Sequence, residues 1–325
     1  MPDYPTLSDW LRNAKPGSPW LPFFHGTAQD PGICGALETI LGRLEATNPS
    51  GLGSLKKRFG DDDEGNVFGL RTELLIGFQL AEAGIPFRFG GRAEPDVKCE
   101  LTPEIWIEAR TRSRDDVLLL QRDLRVALGN SPVNAILSFE RRLAVSEGER
   151  NAIIRRVLEA VESRGTAHSI SVPLPEIEGT CGIESSPFGT PSVFLGAVTS
   201  NLGVHMGEVE RELHNVIAEK TAQSVRNAWS KDTLLVVDAS RLGMAWLRPE
   251  EVWQGRLQQL SLDWGTRPFL GVVVVFAGLV STSMRTTGVV RDGLPPQTMS
   301  CLSKVLYVLG CQSVAANEAS ASAPE

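Results

Sequence analysis

From Asp96 to Leu101, and again from Ile105 to Thr111, polar and apolar residues alternate one by one. A period of two is the signature of a strand with one buried face. Only Thr102-Pro103-Glu104 separates the runs, so they are predicted to form a hairpin. Its parity can be argued. Val97, Cys99 and Leu101 share one face of the first strand, and Ile105, Ile107 and Ala109 share one face of the second. These apolar faces must lie on the same side of the sheet, or half of them would meet charges. Asp96, Lys98, Glu108 and Arg110 are therefore expected to project together from the other side. An ordinary solvated strand carries such a mixture of charges too, so the hairpin alone assigns no chemistry.

The flanking pattern adds context. Phe68, Leu70, Leu74, Leu75, Phe78 and Leu80 recur at helical spacing until Gly84 and Pro86 stop them, and Ile85 to Phe89 reads as a short strand. After the hairpin come a helix over Asp115–Leu128, a strand over Ala135–Phe139, a helix over Asn151–Ser163 and a strand over Ser169–Val172. That order predicts an α/β fold, a mixed central sheet flanked by helices on both faces. Residues 1–60 form an N-terminal helical extension, with helices near Leu7–Asn13 and from Pro31 onward, and residues 61–175 form the core. Residues 176–312 form a C-terminal α/β region that either extends the same sheet or stands apart, and residues 313–325 form a small, polar, disordered tail. Within the C-terminal region the pattern gives a strand over Ser192–Val198, a long helix over Glu208–Trp229 and buried strands at Thr233–Asp238 and from Phe269. It also gives a helix around Glu250–Leu260 and a last strand over Lys304–Leu309.

Composition sets the outer limits. The net charge is −7, so the protein as a whole does not advertise nucleic-acid binding, although a local basic strip can act on an acidic protein. Five cysteines without a CxxC pair read as reduced thiols, and with no visible signal peptide they point to a cytoplasmic protein. The longest apolar run, Phe269 to Val280, is too short to span a bilayer, so no membrane partner is expected.

The segment from Arg71 to Arg110 resembles the active-site core of the PD-(D/E)XK nuclease family. In that family a helix bearing a glutamate precedes a hairpin, a Pro-Asp pair opens one strand, and a (D/E)XK triplet lies on the next. Here the helix carries Glu73, the pair is Pro95-Asp96, and the triplet is Glu108-Ala109-Arg110, with arginine where the family has lysine. The resemblance covers roughly residues 66–140 and implies a restriction-endonuclease-like core. It implies a metal-dependent nuclease cutting DNA, in restriction, phage defence or repair, with a homodimer left open. Asp96 and Glu108 would coordinate Mg²⁺ or Mn²⁺, helped by the Ala109 carbonyl, and Glu73 would hold a metal-bound water or a second ion. Such hard cations take oxygen ligands and stabilise charge on a phosphoryl centre. Arg110 cannot be a general base, because arginine keeps its proton, but it can clamp a phosphate. Lys98, on the same predicted face, could supply the missing ammonium. The other reading is a catalytically silent binding protein that keeps the nuclease-like sheet.

Further candidates have ordinary explanations beside them. Gln121 reads as an exposed helix residue, and Arg112, Arg114, Arg122 and Arg125 as a solvated helix face interleaved with Asp115, Asp116 and Asp123. Lys56-Lys57-Arg58 reads as a loop charge run. Glu219, Lys220 and Gln223 share one helix, and Asp238 ends a buried strand where it can be a site residue or a turn cap.

Overall fold

The computed structural model describes residues 4–15, 18, 20–24, 30–61, 64–113, 115–139, 145–165, 168–186, 191–195, 202–229, 232–241, 257 and 269–311. The chain divides into two compact units. The first comprises Met1–Arg112, Arg211–Ser240 and Trp246–Glu325, and the second Ser113–Glu210 with Arg241–Ala245.

The first unit is a mixed α/β structure. Helices α1 (Pro5–Leu11), α2 (Leu21–Phe24), α3 (Pro31–Thr47), α4 (Leu52–Phe59) and α5 (Glu64–Glu82) precede strands β1 (Phe87–Phe89), β2 (Val97–Cys99) and β3 (Ile105–Ser113). After the second unit the chain returns through α8 (Leu202–Arg226), whose stretch from Arg211 belongs to the first unit. It continues with β8 (Thr233–Arg241), β9 (Phe269–Phe276), β10 (Arg285–Val290) and α9 (Pro296–Val308). The six strands run in the order β1-β2-β3-β8-β9-β10. Neighbours β1, β2 and β3 pair antiparallel, β8 pairs parallel with β9, and β10 closes antiparallel on β9. All eight residues of β9 are buried, as expected of a strand covered on both faces.

Local chemistry explains several boundaries. The Asp30 side chain caps α3 by accepting from the backbone N–H groups of Gly32 and Ile33 at 2.9 and 3.1 Å. Helix α4 is pinned by Phe59, wholly buried, whose ring stacks on Trp20 at 5.6 Å and meets Trp10 edge-on at 5.2 Å. On the same helix, Lys56 donates to Asp9 at 2.5 Å and to Glu45 at 2.8 Å. Helix α5 is tied to the sheet through Thr72, whose hydroxyl donates to the buried Asp238 carboxylate of β8 at 2.6 Å.

The second unit has its own four-stranded sheet, β5-β6-β4-β7, from β4 (Val133–Phe139), β5 (Ser169–Leu174), β6 (Gly179–Ser185) and β7 (Ser192–Leu195). Helices α6 (Asp115–Leu128) and α7 (Glu147–Ser163) share its core, in which Leu120, Leu124, Ile153, Val157 and Cys181 are buried. Ser146 and Glu149 form a reciprocal capping box at the start of α7.

Three expectations are corrected here. The strands at Ala135–Phe139 and Ser169–Val172 do not continue the hairpin's sheet; both pair with β6 in the second unit. The strand beside β3 is β8, with the Trp106 N–H donating to the Asp232 carbonyl at 2.9 Å. Alternation reveals a strand but not its partner, which long-range packing selects. The segment Lys304–Leu309 is not a strand. It belongs mostly to α9, where Cys301, Leu302, Val305 and Leu306 are buried at helical spacing, and the last strand is β10. The helix expected around Glu250–Leu260 and the tail after Ser313 lie outside the described residues. Among the described residues no helix is long and apolar enough to cross a membrane. Cys34, Cys99, Cys181, Cys301 and Cys311 are all free and buried.

The backbone around Asp96 depends on one glycine. A Cβ on Gly90, in the connection from β1 to β2, would stand 1.8 Å from the Pro95 carbonyl oxygen, and the Gly90 N–H donates to the Asp96 carbonyl at 2.8 Å. Gly90→Ala must therefore move the backbone that carries Asp96. It is expected to destabilise the protein by about 1–3 kcal/mol, read as a lower urea midpoint with the denaturant slope unchanged.

Candidate active site

The pleat of the hairpin decides which side chains meet. Val97 pairs with Ile107, Lys98 with Trp106 and Cys99 with Ile105. All four of Val97, Cys99, Ile105 and Ile107 are fully buried on one face. One step beyond Val97 and Ile107, the register sets Asp96 opposite Glu108 on the other face, as the parity predicts. The Asp96 carboxylate also accepts the Ala109 N–H at 2.8 Å, which fixes its direction.

Glu73 joins these two from α5. It is buried, one residue beyond the Thr72 that anchors the helix to Asp238, and it feels the charge of both hairpin carboxylates. Burial, with the repulsion of Asp96, pushes Glu73 and Glu108 up to about 8. Burial also raises Asp96, against the Ala109 hydrogen bond and the attraction of Lys220, Arg58 and Arg110. Three carboxylates thus share one poorly solvated patch.

The cations around them are not the expected set. Lys220 of α8 is buried and donates to Glu108 Oε1 at 2.5 Å and to Gln223 Oε1, one turn along its helix, at 2.9 Å. Arg58, from the end of α4, lies 3.5 Å from Glu73. Arg110 lies on the Asp96–Glu108 face and makes an ion pair with Glu219 of α8 at 3.6 Å. Lys98 shares the face but not the site. It is opposite Trp106, about 7 Å further along the strand than Asp96, and its ammonium is held by Glu104 at 2.6 Å. Its ammonium and the Arg88 guanidinium also sit over the Trp106 ring, at 5.2 and 4.9 Å from the centroid.

Of the residues expected from sequence, Glu73, Asp96, Glu108 and Arg110 come together, while Lys98 is engaged elsewhere. Lys220 and Arg58 stand in the sequence only as weaker candidates with ordinary explanations, a Glu-Lys-x-x-Gln run on a helix and a triplet of basic residues. Asp238 is a structural acceptor, taking the Thr72 hydroxyl and the Ser240 N–H at 2.9 Å. Gln121 belongs to the second unit, where its amide donates to the Val193 carbonyl at 2.7 Å. Arg122 pairs with Asp123 at 3.1 Å and Arg125 is exposed, while Arg114 and the Arg112 side chain lie outside the described residues.

Among the described residues, no group of three or more His, Cys, Asp or Glu side chains is placed to hold a metal ion. Glu73, Asp96 and Glu108 offer only oxygen donors, the type that a hard divalent cation takes. Asp96 raises the proton affinity of both glutamates and Glu108 that of Glu73, a charge imbalance that a bound cation would relieve. Compared with protein-family models, with curated proteins and with solved structures, the chain matches none.

The raised carboxyls make stability depend on pH. Between the ordinary glutamate value of 4.5 and about 8, the native Glu73 and Glu108 hold protons that the unfolded chain has released, so stability falls as pH rises through that window. The urea midpoint is expected to be lower at about pH 8 than at about pH 5, and Glu73→Gln to flatten the difference. Lys220→Met is expected to cost more stability at the higher pH, because at the lower one Glu108 can take up a proton. An equal loss at both would rule out the charge pairing of Lys220 with Glu108.

Proposed function

We propose that the chain is a metal-dependent nuclease of the PD-(D/E)XK kind, hydrolysing DNA phosphodiester bonds with Mg²⁺ or Mn²⁺. The observation that carries this reading is the convergence of buried Glu73 and Glu108 with half-buried Asp96, and the Lys220 ammonium on Glu108. The fold supports it. With the second unit left aside, α5, β1, β2, β3, α8 and β8 run as helix, three strands, helix and strand, the order that this reading expects.

Asp96 and Glu108 would hold the cation, with Glu73 beside them. A bound divalent ion supplies Lewis-acid stabilisation of the phosphoryl oxygens and a more acidic water. The chain's own groups do the rest. The Ala109 N–H keeps Asp96 oriented. Lys220 takes the part that the triplet's lysine plays in the family: its Nζ, beside Glu108, carries positive charge next to the reacting phosphate and orients the attacking water. Arg110 binds phosphate oxygens and moves no proton.

A second reading, a catalytically silent nucleic-acid-binding protein, is favoured by the ion pairs of Arg110 with Glu219 and Arg58 with Glu73, which occupy charges that a substrate and metal would need.

Cleavage of duplex DNA, single-stranded DNA and RNA with Mg²⁺ or Mn²⁺ separates the two. The nuclease reading expects cleavage that is abolished in Asp96→Ala, Glu108→Ala and reduced by about 100-fold or more in Lys220→Ala. Lys98→Ala is expected to stay within about twofold of the parent, since its ammonium is committed to Glu104. Activity surviving the double substitution would remove the site assignment, and no cleavage of any substrate would leave the silent reading.

A further inference from the structure

Ion pairs in the first unit fall into two kinds. Lys56–Asp9, Lys15–Asp61, Arg88–Glu94 and Lys98–Glu104 close at 2.5 to 2.7 Å. The two arginine pairs beside the buried carboxylates do not: Arg58–Glu73 is 3.5 Å and Arg110–Glu219 is 3.6 Å. Both guanidiniums keep much of their surface in solvent, with side-chain exposures of 49% and 41%. Arg110 also keeps a donor in hand, since its shielded Nε has no hydrogen-bond partner among the described residues. Each is close enough to favour the charged form of Asp96.

We propose that Arg58, from α4, and Arg110, from β3, form a two-guanidinium clamp for the nonbridging oxygens of one backbone phosphate beside the carboxylates. The inference rests on the nuclease reading and deepens it by naming a positioning residue outside the hairpin and its preceding helix. Guanidinium forks suit phosphate because they present paired donors to paired oxygens. A loosely held arginine can turn from a carboxylate to a phosphate, the more readily once a cation neutralises Glu73.

The helix end that carries Arg58 is firmly packed. Its neighbour Phe59 is locked between Trp10 and Trp20, and Lys56 is bound to two carboxylates. Gly60 lies so close to Ala14 that a Cβ there would stand 2.6 Å from the Ala14 Cα. The end of α4 is thereby fixed, and only the arginine's rotamers are left to adapt. Lys57, between these residues, is exposed and serves as an internal comparison. Contacts to phosphate alone carry no base information, so the clamp binds backbone irrespective of sequence.

The test is fluorescence-anisotropy titration of a labelled DNA duplex over a salt series, with Ca²⁺ replacing Mg²⁺ to suppress cleavage. Arg58→Gln and Arg110→Gln are each expected to weaken binding several-fold and to lower the slope of log K against log salt by about 0.9. Arg58→Lys should retain most of the slope, and Lys57→Gln should leave it unchanged. A merely structural role for Arg58 would alter melting temperature without altering the slope. If the parent binds and cleaves DNA while Arg58→Gln keeps its affinity and slope, the clamp is wrong and the nuclease reading stands. If the parent binds no duplex, single strand or RNA, both fall.

Discussion

The face of the β2–β3 hairpin formed by Val97, Cys99, Ile105 and Ile107 is withdrawn entirely from solvent, and this burial governs what the opposite face can present. A slip of one residue would drive Lys98, Trp106 and Glu108 into that core, a cost far beyond any local gain. The register is therefore fixed, and with it the meeting of Asp96 and Glu108. The rest of the first unit is arranged against this choice. Thr72 fastens α5 to Asp238 so that Glu73 is offered to the pair, and α8 delivers Lys220 to Glu108.

Such an arrangement is a poor solution to stability alone. Withdrawing carboxylates from water is costly, and a buried pair is often no better than apolar residues of the same volume. Among the described residues that pair with or act on the three acids, Lys220 is buried, while Arg58 and Arg110 attend from the surface at longer range. Elsewhere in the first unit some charges are paired tightly, as Lys56 is with Asp9 and Glu45. Perturbed acids gathered in one place, with cations held loosely near them, are more characteristic of chemistry than of scaffolding.

What could be read from sequence follows the range of the interaction concerned. A period of two gave the hairpin's parity, because a strand's side chains are assigned to faces by the pleat alone. Helical spacing likewise placed Glu73 on α5. Lys220 could not be read in this way: it meets Glu108 across 112 residues, and nothing local distinguishes it from any other helix lysine. Lys98 shows the complementary failure, since its face was right but its position along the strand and its partner Glu104 were beyond a parity argument. The same holds for sheet membership. Val133–Phe139 is a strand by pattern, yet whether it joins β3 or β6 depends on cores assembled from distant segments.

The separation of Glu108 from Lys220 also has a consequence in time. Joining the ends of a flexible loop of that length costs about 4 kcal/mol of chain entropy, a cost that falls if the residues between them have already condensed. Most of those residues belong to one nearly continuous unit with its own core, Ser113–Glu210, which leaves the ribosome before Lys220 does and can condense ahead of it. Every nascent chain that stops short of Lys220 but extends past the hairpin carries Glu73, Asp96 and Glu108 without the ammonium that accompanies them. The charged centre is thus completed late in synthesis, after the hairpin that bears it has long been exposed.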